Sequence, residues 1–410
     1  MIGRNITGSI IQAIADTPVI LLNGARQTGK STLVKWIGEK KHKAKYITFD
    51  DTTALSAAKN DPAGFLAGIE GPIILDEIQK APDLLPALKL EVDRNRVPGR
   101  FLLTGSANVL LLPKVSESLA GRMEILTLYP FSQGELASNK ETFLDDIFRA
   151  SHFEPEPKPM KNGELMKRIK TGGFPEVVAR KSFERRTAWF SAYITTILQR
   201  DIRDISDIDR LTEMPRLFSL LAARAVSILN FAEISRSIGI PVVTLRRYIA
   251  LFETTFLIQL LQPWSANLGK RLIKSPKILL TDTGLLSYLL GLSVRDSVPD
   301  PMTMGRLLEN FVIMELFKQK SWSRIKPGIF YYRSHDGHEV DIILENTAGR
   351  IVAIEIKASH TVKNEDFRYI KFLSEALGSK FIRGIVLYQG GQTIPFGKNI
   401  FAVPVQSLWE

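Results

Sequence analysis

The sequence predicts an α/β domain built on a parallel sheet, then a mostly helical middle, then an α+β domain. Three observations carry this reading. Four continuous apolar runs alternate with amphipathic segments over the first 140 residues. A helical period dominates from about residue 165 to 261, and short strand-like runs return after residue 304. Continuous apolar strands suit a parallel sheet covered on both faces, whereas a period of 3.6 marks helices with one buried stripe.

In chain order, the first strands are residues 18–23 (PVILLN), 46–50, 72–76 (PIILD) and 100–104 (RFLLT), with helices expected at 31–40 and 84–92. This is the alternation of an α/β sandwich. Residues 154–160 (EPEPKPM) are rich in Pro and Glu and read as a connection. The helical middle is punctuated twice, by Gly172-Gly173-Phe174-Pro175 and by Gly239-Ile240-Pro241. A helix at 307–317 then leads into strands at 329–333, 339–345, 350–358, 382–388 and 401–404. The expected domains are 1–140, 141–205, 206–285 and 286–410.

Composition narrows the classes. The 410 residues are 45% apolar and 24% charged with a mean hydropathy of +0.02, a globular profile that excludes a disordered or collagen-like chain. Apolar runs such as 19–22 and 109–112 fall far short of the ~20 residues a membrane span needs, and residues 10–14 are too short for a secretory core. No membrane partner is expected, and the expected location is the cytoplasm. Cysteine is absent, which excludes disulfides, thiolate metal sites and a Cys nucleophile, and the five histidines show no metal-ligand spacing. The net charge is +11, and its distribution is uneven. Residues 161–250 hold 16 basic and 9 acidic side chains, against 17 and 14 in residues 1–140. A basic middle fits a polyanion-binding face or a solvated surface.

The chemistry-bearing motif is Gly24-Ala25-Arg26-Gln27-Thr28-Gly29-Lys30-Ser31, followed by Thr32. It matches GxxxxGK[ST] and stands where that motif must stand, after a strand and at the start of a helix. Its glycines let the backbone curl so that successive N–H groups face phosphate oxygens, and the helix N-terminus adds its dipole. Lys30 is expected to bridge the β- and γ-phosphates of ATP, and the Ser31 hydroxyl to ligate Mg²⁺. Asp76 and Glu77 close the third strand, 46 residues after Lys30 in the case of Asp76. Asp76 is placed to hold Mg²⁺ and Glu77 to polarise the attacking water, against the alternative of a helix-capping pair. Thr104, Ser106 and Asn108 end the fourth strand as γ-phosphate sensors or as plain turn residues. Arg122 is either an arginine finger for a neighbouring subunit of a homo-oligomer or a surface arginine.

Two further constellations follow. Residues 231–239 and 241–252 read as a helix-turn-helix, with Pro241 opening the second helix. Ala232, Ile234 and Ile238 are expected inward on the first helix, and Val243, Tyr248 and Leu251 on the second. Thr244, Arg246 and Arg247 would then point to DNA, or the element serves as a lid or subunit contact; 257–261 and 277–281 would form a wing. In the C-terminal strands, Asp341 precedes Glu355-Ile356-Lys357, which fits a D…ExK pattern, and Glu309 on the preceding helix offers a further carboxylate. Strand alternation puts Glu355 and Lys357 on one face. Asp341 and Glu355 suit a hard cation such as Mg²⁺, Lys357 a pentavalent phosphate, and Arg333 and His335 DNA phosphates. Such a fold also serves as a non-cleaving binder of nucleic acid or protein. Trp189, Phe190 and Tyr193 are read as core, Arg200 as an ion-pair residue and Asp282 as a helix N-cap.

The chain resembles AAA-type ATPases of bacteria and archaea that carry a C-terminal domain of unknown function. The resemblance rests on GARQTGKST, LDEIQKAPDLLPALK, LLTGSAN, SLAGR, GGFPEVV, LLTDTGLLSYLLGL and GHEVDII…IEIKAS, together spanning nearly the whole chain. It implies an α/β P-loop NTPase core of AAA type, a helical and winged-helix region and an α+β restriction-endonuclease-like domain. The function expected is a Mg²⁺-dependent ATPase coupling nucleotide state to DNA engagement. The alternative is a nucleotide-switched module that contacts a protein partner through a non-catalytic nuclease-like domain.

Overall fold

The computed structural model describes residues 2–106, 119–149, 153–202, 211–267, 275–292, 299–334 and 336–410, which divide into two compact units. The first unit is residues 4–130 with 251–257. Its sheet has the order β2-β3-β4-β1-β5, all parallel: β1 (Val19–Asn23), β2 (Lys45–Thr48), β3 (Ile73–Asp76), β4 (Phe101–Gly105) and β5 (Met123–Thr127). The central strands β1, β3 and β4 are buried along their whole length, as their unbroken apolar runs require. Helices α1 (Thr7–Asp16), α2 (Lys30–Lys40), α3 (Thr52–Asn60), α4 (Pro62–Ala67) and α5 (Leu84–Arg94) complete the unit. Leu84, Leu85, Leu88 and Val92 of α5 join one apolar cluster with Leu21, Leu75 and Leu103. The four strands read from the sequence are present, and β5 is an additional edge strand, half-buried, beside β1.

The second unit is residues 131–250 and 258–410, with residues 2–3. Its helical part includes α6 (Glu164–Thr171), α7 (Phe183–Thr196), α8 (Met214–Ala223), α9 (Phe231–Ile238) and α10 (Val242–Thr254), of which residues 251–254 are assigned to the first unit. The strands β6 (Ile258–Leu261) and β7 (Lys277–Leu280) pair antiparallel, followed by α11 (Thr283–Leu289) and the long α12 (Pro301–Lys320). Asp282 is the N-cap of α11, accepting the Leu285 N–H at 3.0 Å. The other oxygen of its carboxylate accepts the Gly173 N–H at 2.7 Å. Gly173 has no room for a side chain, since a Cβ there would stand 2.2 Å from the Phe131 carbonyl oxygen. The GGFPE and DTGLL segments are therefore one packing unit. Phe174, Trp189, Phe190 and Tyr193 form a ring cluster, with Trp189 and Tyr193 stacked at 4.8 Å, as the core reading expects.

The C-terminal sheet has six strands in the order β12-β13-β11-β10-β9-β8. These are β8 (Gly328–Arg333), β9 (Glu339–Glu345), β10 (Ile351–Ile356), β11 (Phe381–Tyr388), β12 (Ile394–Gly397) and β13 (Ile400–Pro404). β10–β11 and β11–β13 are parallel and the other pairs antiparallel. Helix α13 (Arg368–Leu377) packs Ile370 and Leu373 into the same apolar cluster as Ala353 and Val386.

Two expectations about helix faces are corrected. Val243 is 80% exposed and Ala232 is exposed, while Ile234, Ile238, Tyr248 and Leu251 are buried as expected. The buried stripe of α10 runs through Leu245, Tyr248, Ile249 and Phe252, and the residue two before Leu245 falls on the opposite side of a 3.6-residue turn. No helix among the described residues is long and apolar enough to cross a membrane.

Candidate functional site

The loop after β1 curls as its composition requires. Gly29 (φ 94°) and Gln27 (φ 62°) adopt left-handed backbone conformations. Gly24 lies against the chain after β5, where a Cβ would stand 2.2 Å from the Leu128 carbonyl oxygen. Ala25 and Thr28 are buried, Arg26 is half-buried, Gln27 is exposed, and Thr32 is exposed on the first turn of α2. The Thr28 hydroxyl donates to the Ala25 carbonyl at 2.9 Å. Lys30 is buried, and its ammonium donates to the Gly24 and Ala25 carbonyls at 2.9 and 2.8 Å, inside the curl of its own loop. The Arg4 guanidinium donates to the Thr28 carbonyl at 3.0 Å and tethers the loop from the N-terminal side.

At the tip of β3, the buried Asp76 carboxylate collects three hydroxyl donors. Ser31 Oγ donates to Oδ1 at 2.9 Å, Thr104 Oγ1 donates to the same oxygen, and Tyr46 Oη donates to Oδ2 at 2.6 Å. Burial, then the Asp76 carboxylate, raise the Tyr46 hydroxyl's pKa well above its usual range, so it stays a donor. Lys35 caps the Tyr46 ring at 4.4 Å. Glu77 takes a left-handed conformation (φ 61°) as the chain turns off the strand, and its N–H donates to Thr104 Oγ1 at 3.1 Å. Its carboxylate accepts from Gln79 Nε2 and from Ser106 Oγ, the latter at 3.3 Å. Buried Asn23 Oδ1, at the last residue of β1, and Gln79 Oε1 have no hydrogen-bond partner among the described residues. Arg122 pairs with Asp93 at the surface through Nε at 2.5 Å, and Asn108 lies outside the described residues.

On α10, Arg246 and Arg247 are exposed and Thr244 is half-buried; the Arg246 guanidinium lies over the Phe231 ring at 4.1 Å. In the C-terminal sheet, Glu355 and Lys357 are paired at 3.1 Å, and Asp341 Oδ2 accepts the Ile356 N–H at 2.9 Å. Glu309 does not stand free beside them. Its carboxylate is paired at 2.9 Å with Lys277, the first residue of β7, which also binds Glu339 at 2.7 Å. Burial and then the Asp341 charge raise the pKa values of Glu309 and Glu355, against the lowering pull of Lys277 on the first and Lys357 on the second. His335 lies outside the described residues.

Comparison with known proteins gives three matched segments. Residues 16–137 match an AAA domain, residues 162–296 a domain of unknown function (DUF8612), and residues 304–408 another (DUF4143). An uncharacterized protein of Mycobacterium tuberculosis is 32% identical over 408 residues, which cover 99% of this chain and 84% of that protein. This chain belongs to the same family, an AAA-type ATPase with a C-terminal domain of unknown function. An uncharacterized protein of Methanocaldococcus jannaschii is 22% identical, over 95% of this chain and 87% of that protein. The Walker-type ATPase PABY2304 of Pyrococcus abyssi superposes with a TM-score of 0.41 at 15% identity, over 71% of this chain and 96% of that one.

The two possible metal positions of this AAA-type ATPase differ in fit. At the phosphate loop, a hydroxyl and a carboxylate, Ser31 and Asp76, stand 2.9 Å apart at the mouth of the curl. Both are hard oxygen donors of the kind Mg²⁺ takes in nucleotide sites. The D…ExK residues do not fit in the same way, because Lys277 already stands among their carboxylates and, among the described residues, no three Asp, Glu or His side chains converge as a metal-binding group. The sequence reading missed Tyr46, Gln79 and Lys277. A tyrosine in an apolar strand and a lysine opening another look like packing and solvent-facing residues until parallel register (Thr48 beside Asp76) or tertiary contact brings them to a carboxylate.

Proposed function

We propose that this AAA-type ATPase binds ATP with Mg²⁺ in the loop of Gly24 to Thr32 and hydrolyses it. The observation that carries the reading is the Ser31–Asp76 hydrogen bond, which joins the start of α2 to the tip of β3. In the mechanism, the N–H groups of the loop bind the β-phosphate, and Lys30 exchanges its two carbonyl partners for β- and γ-phosphate oxygens. Ser31 and Asp76 would hold Mg²⁺, which would supply charge neutralisation at the phosphates. Glu77 accepts a proton from the water attacking in line, and Ser106 and Gln79 orient its carboxylate. Thr104 bonds both Asp76 and the Glu77 N–H, so it relays the state of the γ-phosphate between metal ligand and base. Asn108 is a second sensor, and Arg122 would leave Asp93 to serve a neighbouring subunit.

Nucleotide state is coupled to DNA through the second unit, read as a winged-helix region followed by a restriction-endonuclease-like domain. Support comes from the α9–α10 pair, the antiparallel β6–β7 strands and the outward stripe Val243, Arg246, Arg247 and Ala250, spaced for one helix face. A second reading is favoured by Val243, whose 80% exposure at the head of that stripe suits a protein partner better than phosphate. Steady-state ATP turnover with and without duplex DNA separates them. DNA is expected to stimulate turnover, Glu77→Gln to abolish it while retaining ATP binding, and Arg246→Ala with Arg247→Ala to lose stimulation and flatten the salt dependence of DNA affinity. No stimulation by duplex, with an unchanged salt slope in the double variant, would remove DNA from the account.

A further inference from the structure

We infer that Lys277 is the resident cation of the acidic cluster in the C-terminal fold, taking the place a divalent metal would need and fastening β7 to that fold. Three carboxylates act on the position, Glu309 on α12 and Glu339 and Asp341 on β9, and Glu355 on β10 adds its charge to that of Asp341 and Glu309. Lys277 reaches Glu309 at 2.9 Å and Glu339 at 2.7 Å, and Asp341 adds its field. The Lys277 side chain is 3% exposed, so the ion pairs are shielded from solvent. Burial alone would lower its pKa; Glu309, Asp341 and Glu339 outweigh it, and the ammonium stays charged. The remaining charges are taken elsewhere. Lys357 pairs with Glu355 at 3.1 Å, Asp341 accepts the Ile356 N–H, and Arg333 approaches Glu339 at 3.6 Å.

Lys277 is delivered by a fixed backbone. On one side β7 pairs with β6, Leu261 opposite Lys277. On the other, the Val226 and Leu229 N–H groups donate to the Ile278 and Pro276 carbonyls at 2.7 and 2.8 Å. At its far end, the buried Asn310 side chain bonds both the N–H and the carbonyl of Leu280 at 2.9 Å. Asn310 follows Glu309 on α12, so the contact that sets the register of β7 against the helix also sets Glu309 beside Lys277. The Tyr331 hydroxyl holds the Ser275 carbonyl at 2.6 Å, two residues before the lysine. A divalent ion needs several oxygens converging at about 2.0–2.6 Å. To gather them here it would have to expel an ammonium whose strand is anchored on both edges.

Mn²⁺ titration of the full-length, nucleotide-free protein, read by the electron paramagnetic resonance of free Mn²⁺, tests this. Sites at the phosphate loop are common to all variants and cancel. Wild type and Asp341→Asn are expected to bind the same amount, with Glu355→Gln as a second probe of the same point. Lys277→Ala is expected to gain about one Mn²⁺ equivalent, lost again when Asp341→Asn is added. A wild-type site that Asp341→Asn or Glu355→Gln removes would overturn the inference, as would a folded Lys277→Ala that gains none. Should Lys277→Ala fail to fold, the comparison of wild type with the two carboxylate variants still decides.

Discussion

Single atoms at the tip of β3 determine what the site can do. Asp76 would be an ordinary strand-end carboxylate without its three hydroxyl donors, which fix the orientation of both oxygens before any ligand arrives. Ser31 comes with the motif and is legible in the sequence. Tyr46 is not, because its role depends on β2 lying parallel to β3. A hydrogen bond to a charged group contributes roughly 1.5–3 kcal/mol, so Tyr46→Phe should let the Asp76 carboxylate swing. The expected outcome is about a tenfold rise in the Mg²⁺ needed for half-maximal ATP turnover, since ~1.4 kcal/mol is one decade. Saturating Mg²⁺ should largely restore the rate. An unchanged Mg²⁺ requirement would reduce Tyr46 to a packing residue.

Among elements, α12 buries four polar side chains, Asn310, Glu315, Lys318 and Gln319. Its Glu315 accepts the Gln133 N–H at 2.9 Å and pairs with Lys318 at 2.6 Å, and Lys318 donates to the Phe131 carbonyl. Beside it, Glu141 accepts from Ser132 and, at 3.1 Å, from the Gly134 N–H, while burial and then the Glu315 charge raise its pKa to about 8. The native state therefore holds a proton that the unfolded chain releases near its ordinary value of 4.5. Between those values unfolding is favoured as pH rises, so this contribution is complete at acid pH and lost on passing about 8. Thermal unfolding of wild type should accordingly fall between pH 5.5 and pH 8.5 by a few degrees more than that of Glu141→Gln. Parallel curves for the two proteins would contradict the assignment. Elements also show where patterns mislead. β1, β3 and β4 are legible because burial on both faces demands unbroken apolar runs, whereas β5 and β12 are edge strands with mixed residues and leave no such trace. Val243 shows that apolar character alone does not mark an inward face.

Across the whole molecule, the features legible in the sequence are those whose chemistry fixes residue type at fixed spacing. The phosphate loop, the acidic pair at the strand end and the GGFPE and DTGLL segments are of that kind, and the last two prove to be halves of one contact through Asp282. What was not legible is chemistry assembled from distant segments. Lys277 lies 32 residues before Glu309 in a different element and changes the meaning of the D…ExK residues from an open acidic site to a compensated one. The account as a whole depends on the loop around Lys30 gripping a Mg²⁺-bound triphosphate. Titration calorimetry of folded protein with ATP and Mg²⁺ tests it most directly. The account predicts one saturable binding event in wild type that Lys30→Ala loses. No heat in wild type, or the same isotherm in both proteins, would contradict it.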